Sequence, residues 1–385
     1  MEKEIKISKK QFFKEMVIYF LTCCMFFNTS LPVSFATPLD PVQVGGTAVG
    51  GITVGNTTTV DMGGSGRAVI NWGGLDTSSS QVLQFIKAGG GDFAVLNRVT
   101  GGSATQFNGS LFGNQGTILI VNPHGLVFGP TAFIQARNFV ASGLNIQDTD
   151  FMNSLHNFAG GNGLVANYGN ISADKVALIG KQVFNAGTIQ SPGGFVIMAA
   201  GDRVFLSEQG SKVVVEVDGI KAPPEPIDGV PEIASDVRNE GIVDAAGGNI
   251  VLATGDIFSR AIENVGTLAA SGGTVTAEAA NITQNGTINV DGVSGNGGNI
   301  SLTAAQDVTL GSGSLTTANA GENGNGGNVT VLAGDTAIFS NGAAIEAKGG
   351  SQSGNGGFVE ISGEHFLFAG DVDVTAQYGQ GGTIL

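Results

Sequence analysis

Gly247-Gly248-Asn249-Ile250-Val251-Leu252, Gly272-Gly273-Thr274-Val275-Thr276-Ala277 and Gly297-Gly298-Asn299-Ile300-Ser301-Leu302 are the stretches that decide the fold. In each, an aliphatic residue stands two positions after a glycine pair and another apolar residue follows two positions later. That is the period of a strand with one buried face. Pairs at Gly326-Gly327, Gly356-Gly357 and Gly381-Gly382 continue the series at spacings of 25, 25, 29, 30 and 25 residues, and Gly193-Gly194 is an earlier relative. The first apolar column reads Val196, Ile250, Val275, Ile300, Val329, Val359, Ile384, and the second Met198, Leu252, Ala277, Leu302, Val331, Ile361.

Between these strands a second, shorter one follows Asn-Gly or Asn-x-Gly, as in Asn185-Ala186-Gly187-Thr188-Ile189, Asn239-Glu240-Gly241-Ile242-Val243 and Asn264-Val265-Gly266-Thr267-Leu268. Asp202, Asp256, Asp307 and Asp335 recur as turn residues. One such unit encloses no core alone, but units stacked in register bury each aliphatic column and pair every backbone with the next coil. The expected fold is all-β, a right-handed single-stranded parallel β-helix. A propeller blade needs four strands in about 40–45 residues, more than this period holds. Pro223-Pro224-Glu225-Pro226 and Pro231 interrupt the repeat, because proline has no place in a central strand, and predict an excursion between Asp218 and Asp236.

Composition agrees. Glycine supplies 63 of 385 residues, more than twice the usual share of about 7%. Charged residues are only 13% and hydrophobic ones 42%, which argues against charge-driven disorder. With 17 basic and 32 acidic residues and a net charge of −15, a phosphate backbone would be repelled, which excludes nucleic-acid binding.

Lys3, Lys6, Lys9, Lys10 and Lys14 precede an apolar run from Met16 to Phe27, followed by Ser34-Phe35-Ala36. Residues 1–36 read as a secretory signal cleaved after Ala36. The run is shorter than the roughly 20 residues that span a bilayer, so no integral membrane segment is expected after cleavage. Cleavage would remove five Lys and three Glu, taking the charge from −15 to −17, together with both cysteines, Cys23 and Cys24. An exported chain without disulfides is the expectation.

Val95-Leu96-Asn97-Arg98-Val99-Thr100-Gly101-Gly102 and Gly116-Thr117-Ile118-Leu119-Ile120-Val121-Asn122-Pro123-His124-Gly125-Leu126-Val127-Phe128-Gly129 lie upstream of the regular repeats. With Phe139-Val140-Ala141-Ser142-Gly143-Leu144 and Gly201-Asp202-Arg203-Val204, they resemble the secretion domain of filamentous haemagglutinin-type proteins, the exported partners of two-partner secretion systems. The resemblance covers about Pro38 to Asp228. It implies a β-helix with N-terminal capping strands, and a partner: an outer-membrane β-barrel transporter with periplasmic polypeptide-transport-associated domains. The family often has Asn-Pro-Asn-Gly where His124 stands here, and its second motif, Asn-Pro-Asn-Leu, has no clear counterpart. Read as residues alone, Asn122-Pro123-His124-Gly125 is a turn between two aliphatic runs. Asn97, Arg98, Asn122, Pro123, His124 and Gly125 are therefore candidates for transporter recognition or for a structural turn, and Asn97 and Arg98 either satisfy buried backbone groups or face the partner.

Residues 1–36, 37–228 and 229–385 are the expected signal, secretion domain and continuing β-helix repeats. The chain stops one step into a fresh repeat, as a fragment of a longer protein would. Its three histidines, His124, His156 and His365, have no carboxylate or thiolate at ligand spacing, and neither a nucleophile elbow nor a phosphate loop occurs, so no metal, cofactor or enzyme activity is expected. The expected function is a surface adhesin or structural rod, secreted or held at the cell surface after passing the periplasm, with a host or cell-surface receptor as a further partner. The alternative is a secreted β-helical carbohydrate-active enzyme. Its best support is Asp371-Val372-Asp373, whose carboxylates share one strand face.

Overall fold

A computed structural model describes residues 38–209, 212–218, 224, 226–255 and 262–385; the expected signal (1–36) and the turn at Asp256 lie outside them. Each regular coil supplies three strands. In one, these are Ile242–Asp244, Asn249–Thr254 and Ile262–Asn264. Each pairs in parallel with its equivalent in the next coil: Thr267–Ala269, Thr274–Ala279 and Ile282–Gln284. The chain is a parallel β-helix, and its strands gather into one long sheet made of two strand columns per coil and a second sheet made of the third.

The first aliphatic column points inward as its period demands, from Val196 to Val359. Strand register extends it backwards through Val176, Phe139, Ile118 and Val95 to Ala68. Ile384 departs from the expectation. It is in register with Val359 but 51% exposed, because no described rung stacks on its far side. Phe368 is exposed for the same reason, with only Phe339 beneath it.

The two glycines of a pair do different jobs. Gly247 and Gly272 turn the corner at φ +74° and +69°, where a Cβ is strained. Gly248 and Gly273 have ordinary backbone angles, but a Cβ on either would lie 2.0–2.2 Å from the carbonyl oxygen of the equivalent glycine one coil earlier. The spacing between coils, about 4.8 Å, leaves no room for a side chain there.

The first coil is capped by non-helical strands. Val42–Gly46 runs antiparallel to Arg67–Trp72, and Gly51–Thr53 forms a hairpin with Thr57–Asp61. Val49 and Ile52 from this region pack on the end of the core.

Two excursions cover the outside of the coils. His156–Ala159, Arg203–Gln209 and Lys212–Asp218 form a separate antiparallel sheet. Val204 and Leu206 from it, with Ile146, Phe151 and Phe158 from the preceding segment, make a second core against the outer face of the long sheet. The proline-rich stretch also leaves the coils as expected, and Ile227, Val230 and Ile233 pack back on Leu164, Ala166 and Phe184. Phe195–Ala200 pairs directly with Asn249–Thr254 across that stretch. The strands on either side of the stretch thus belong to one continuous stack.

Candidate recognition site

Asn122 follows the strand Ser110–Val121, and its side chain is fully buried. Its Nδ2 donates to Ser103 O (2.9 Å) and Thr105 Oγ1 (3.0 Å), while Oδ1 accepts the backbone N–H of His124 at 3.0 Å. That last bond is an Asx turn. The backbone N–H of Gly125 closes the corner on Asn122 O (2.9 Å). Gly125 has φ +111°, and a Cβ there would stand 2.6 Å from Ile227 Cδ1, so the corner is packed under the proline-rich excursion. Pro123 O accepts the N–H of Asn162 (3.0 Å). His124 alone of the four is exposed. Asparagine, proline and glycine hold the corner, and the imidazole is what it presents.

Asn97 and Arg98 are neighbours in one strand and point to opposite faces. Asn97 is fully buried inside the coil, in register between Ile70 and Ile120. Its Oδ1 accepts the indole N–H of Trp72 (3.0 Å), and its Nδ2 donates to Leu119 O (3.1 Å). It satisfies buried polar groups, one of the two roles the sequence left open, and is out of reach of a partner in the folded state. Arg98 faces outward but is covered. Its Nε donates to Asn145 Oδ1 (3.1 Å), and its Nη2 donates to Ile146 O (2.6 Å) and pairs with Asp148 (2.7 Å). It ties the short helix Asp148–Met152 to the sheet. The Arg98 side chain is covered, while the Asp148 carboxylate stays largely open to solvent, so the arginine's hydrogen bonds to Asn145 and Ile146 O do most to hold it in place.

The Asn-x-Gly corners also build a ladder of buried amides. The asparagines of the Asn-x-Gly corners end strands, and their side chains turn inward. Asn167 donates to Asn185, Asn185 to Asn239, Asn239 to Asn264 and Asn264 to Gln284, at 2.7–2.8 Å. All five are buried. Asn185, Asn239 and Asn264 each pass one N–H up the stack and take one from below, which satisfies groups that would be costly alone. The signal was present: Val165, Val183, Val237, Ile262 and Ile282 each stand two residues before a ladder amide, so the amides share their inward phase.

Asp371 and Asp373 flank Val372, which packs on the core, and both face outward. Hydrogen bonds from the side chain and backbone N–H of Thr375, with Lys348 nearby, hold the Asp373 carboxyl below the ordinary aspartate range. A glycosidase-type acid needs its pKa raised, the opposite direction. Among the described residues no cluster of His, Cys, Asp or Glu is arranged to hold a metal. No described helix is long and apolar enough to cross a membrane.

A capped parallel β-helix with outer-face excursions is the class this architecture defines. No family model matches the chain. Among solved structures, the chain is similar to the HMW1 secretion domain from Haemophilus influenzae, with a TM-score of 0.67 and 22% identity, over 90% of this chain and 100% of that one. A filamentous hemagglutinin secretion domain aligns over 90% of this chain and 99% of its own, with a TM-score of 0.39 and 12% identity. Among curated proteins, the heme/hemopexin-binding protein of Haemophilus influenzae is 28% identical over 217 residues, 52% of this chain. The match spans about a fifth of that relative's length, 22%. The chain therefore has the parallel β-helix fold of the HMW1 secretion domain.

Proposed function

We propose that this chain is the secretion-recognition module, with the first coils of the shaft, of an exported adhesin or surface rod. Its partner in this reading is a dedicated outer-membrane β-barrel transporter with periplasmic polypeptide-transport-associated domains, which passes the chain from periplasm to cell surface or medium. The observation that carries the reading is the fold match to the HMW1 secretion domain, which takes in the whole of that domain and nine-tenths of this chain. The antiparallel cap, the Asn122–Gly125 corner and the Arg98 tether all lie in the half that the family resemblance covers. The relative named as a heme/hemopexin-binding protein makes heme or hemopexin one candidate ligand.

Passage and folding are linked physically. A chain without disulfides threads a narrow barrel unfolded, and each coil that emerges buries apolar surface on the previous one, which favours outward movement. The Asp373 carboxyl is held below the ordinary aspartate range, the opposite of what a general acid requires, which weighs against the carbohydrate-active alternative.

Secretion by the producing cell tests the reading. Deleting the two-partner transporter is expected to leave the chain in the periplasm. His124→Ala is expected to keep the melting temperature while lowering the secreted fraction, because the imidazole is exposed at a corner built by its neighbours. Undiminished secretion without the transporter would refute the proposal.

A further inference from the structure

A hollow of about 450 Å3 opens on the outer face of the long sheet, between Ser154–His156 on one side and Phe205–Ser207 on the other. Its size lies within the range of about 300–1,000 Å3 typical of small-molecule sites. The register explains why it exists. One outward column reads Arg67, Ala94, Thr117, Asn138, Lys175 along successive rungs. Ala94 and Thr117 are short where Arg67 and Lys175 are long, so the sheet between them is left bare beneath the covering hairpin.

The two ends of the hollow differ in chemistry. At one, the Arg67 guanidinium lies over the Phe151 ring (4.7 Å) and its Nη1 donates to Ser154 Oγ (2.9 Å). Its Nε is buried with no hydrogen-bond partner, and burial pushes the pKa of the group down. Among the described residues no carboxylate pairs with it. A cation in that position is short of compensation. Beside it, Thr117 Oγ1 accepts a hydrogen bond from Asn138 Nδ2 (2.9 Å), which leaves the hydroxyl hydrogen to be donated elsewhere. At the other end the walls are apolar, with Val140, Ala177, Ile197 and Leu206. None of the described residues lining the hollow is acidic, in a chain with 32 acidic and 17 basic residues.

We propose that this hollow binds a small amphipathic anion, an acyl or aryl body ending in one carboxylate or sulfonate. The anionic end lies at Arg67 and Thr117, and the body against Ala177, Ile197 and Leu206. The ligand supplies the counter-charge that the partly buried guanidinium lacks and fills the space that Ala94 and Thr117 leave.

Fluorescence titration of the full chain with anilinonaphthalene sulfonate tests this, with decanoate and decanol as competitors. One saturable site is expected, from which decanoate displaces the dye at a concentration about tenfold or more below that of decanol, a difference of at least about 1.4 kcal/mol. Arg67→Gln should weaken dye binding by a similar factor, and Ala177→Phe, which fills the apolar end, should abolish it with the melting temperature retained. Should Arg67→Gln fail to fold, the decanoate–decanol comparison on the unaltered chain still decides. The proposal is overturned by the absence of a saturable site, by decanol competing as well as decanoate, or by a folded Ala177→Phe chain that binds like the original.

Discussion

One outward column of the long sheet changes character along the molecule. Val69, Leu96, Leu119, Val140, Ala177 and Ile197 are all buried, because the helix-containing segment and the antiparallel hairpin lie on them. In strict register the same column continues through Val251, at the edge of that second core, to Thr276, Ser301, Thr330 and Glu360, all half-buried and facing water. The inner columns stay buried in both halves, mostly apolar with Asn97 and the amide ladder as polar insertions. The early coils are thus sandwiched between two cores and the later ones wrap a single core. The region proposed to be recognised is the one that carries a second layer, and the region proposed to extend the shaft is a bare repeat. Covered strands read as near-continuous apolar runs, such as Thr117–Val121, and bare ones as alternation, such as Asn299–Ala304.

The largest effect that would break this comparison comes from placing the same charge in both halves of the column. Leu119→Asp buries an unpaired carboxylate and should cost at least about 4 kcal/mol. Ser301→Asp, on the uncovered part, should change stability by no more than about 0.5 kcal/mol. Denaturant unfolding of the two variants checks the pair, and equal effects would remove the distinction between the halves.

The amide ladder crosses from one half to the other and sharpens the comparison at its joint. Asn239→Ala leaves Asn185 Nδ2 without its acceptor and Asn264 Oδ1 without its donor. Each stranded group should cost about 1–3 kcal/mol. Hydrogen exchange should show the loss concentrated in the coils on either side of Asn239, with the antiparallel cap unaffected.

The smallest effect concerns the uncovered coils alone. Hydrogen bonding to Lys348, and then to Asn319, holds the Glu346 carboxyl below the ordinary glutamate range, and Thr375 does the same for Asp373. Depressed carboxylate values stabilise the fold above the unfolded-state pKa, and that contribution is lost as pH falls through the folded-state value. Lys348→Met should therefore lower the melting temperature slightly near neutral pH. The difference from the unaltered chain should vanish in acid, where both carboxyls are protonated. Because these groups are partly exposed, added salt should also shrink it.

The bare coils were the legible part of the chain. Their glycine pairs and aliphatic columns repeat because each coil meets the same neighbour, and the strands from Asn249 to Ile361 lie where the period put them. The second layer was harder to read. Val140 and Ile197 face outward but look like core residues, and nothing local in the sequence says that Phe151, Phe158 and Val204 will cover them from a distance. The corner at Asn122 was legible as a turn. The burial of Asn97 inside the coil was not, because its partners, the Trp72 indole and Leu119 O, lie on neighbouring rungs more than twenty residues away in sequence. Asn-x-Gly favours a corner whether or not its amide points inward, so the motif alone does not reveal the ladder.

In-register stacking of consecutive coils carries the whole account, and paired cysteines test it most directly. Cys23 and Cys24 would be replaced by Ser, so that no other thiol competes. Thr276 and Ser301 are register partners on the uncovered outer face. Their Cα atoms should lie about 4.8 Å apart, within disulfide reach. Thr276→Cys with Ser301→Cys is expected to form an intramolecular disulfide readily under mild oxidation, while Thr276→Cys with Thr303→Cys, two residues out of register, should form one poorly. The reverse preference, or none, would contradict the stacked-coil account.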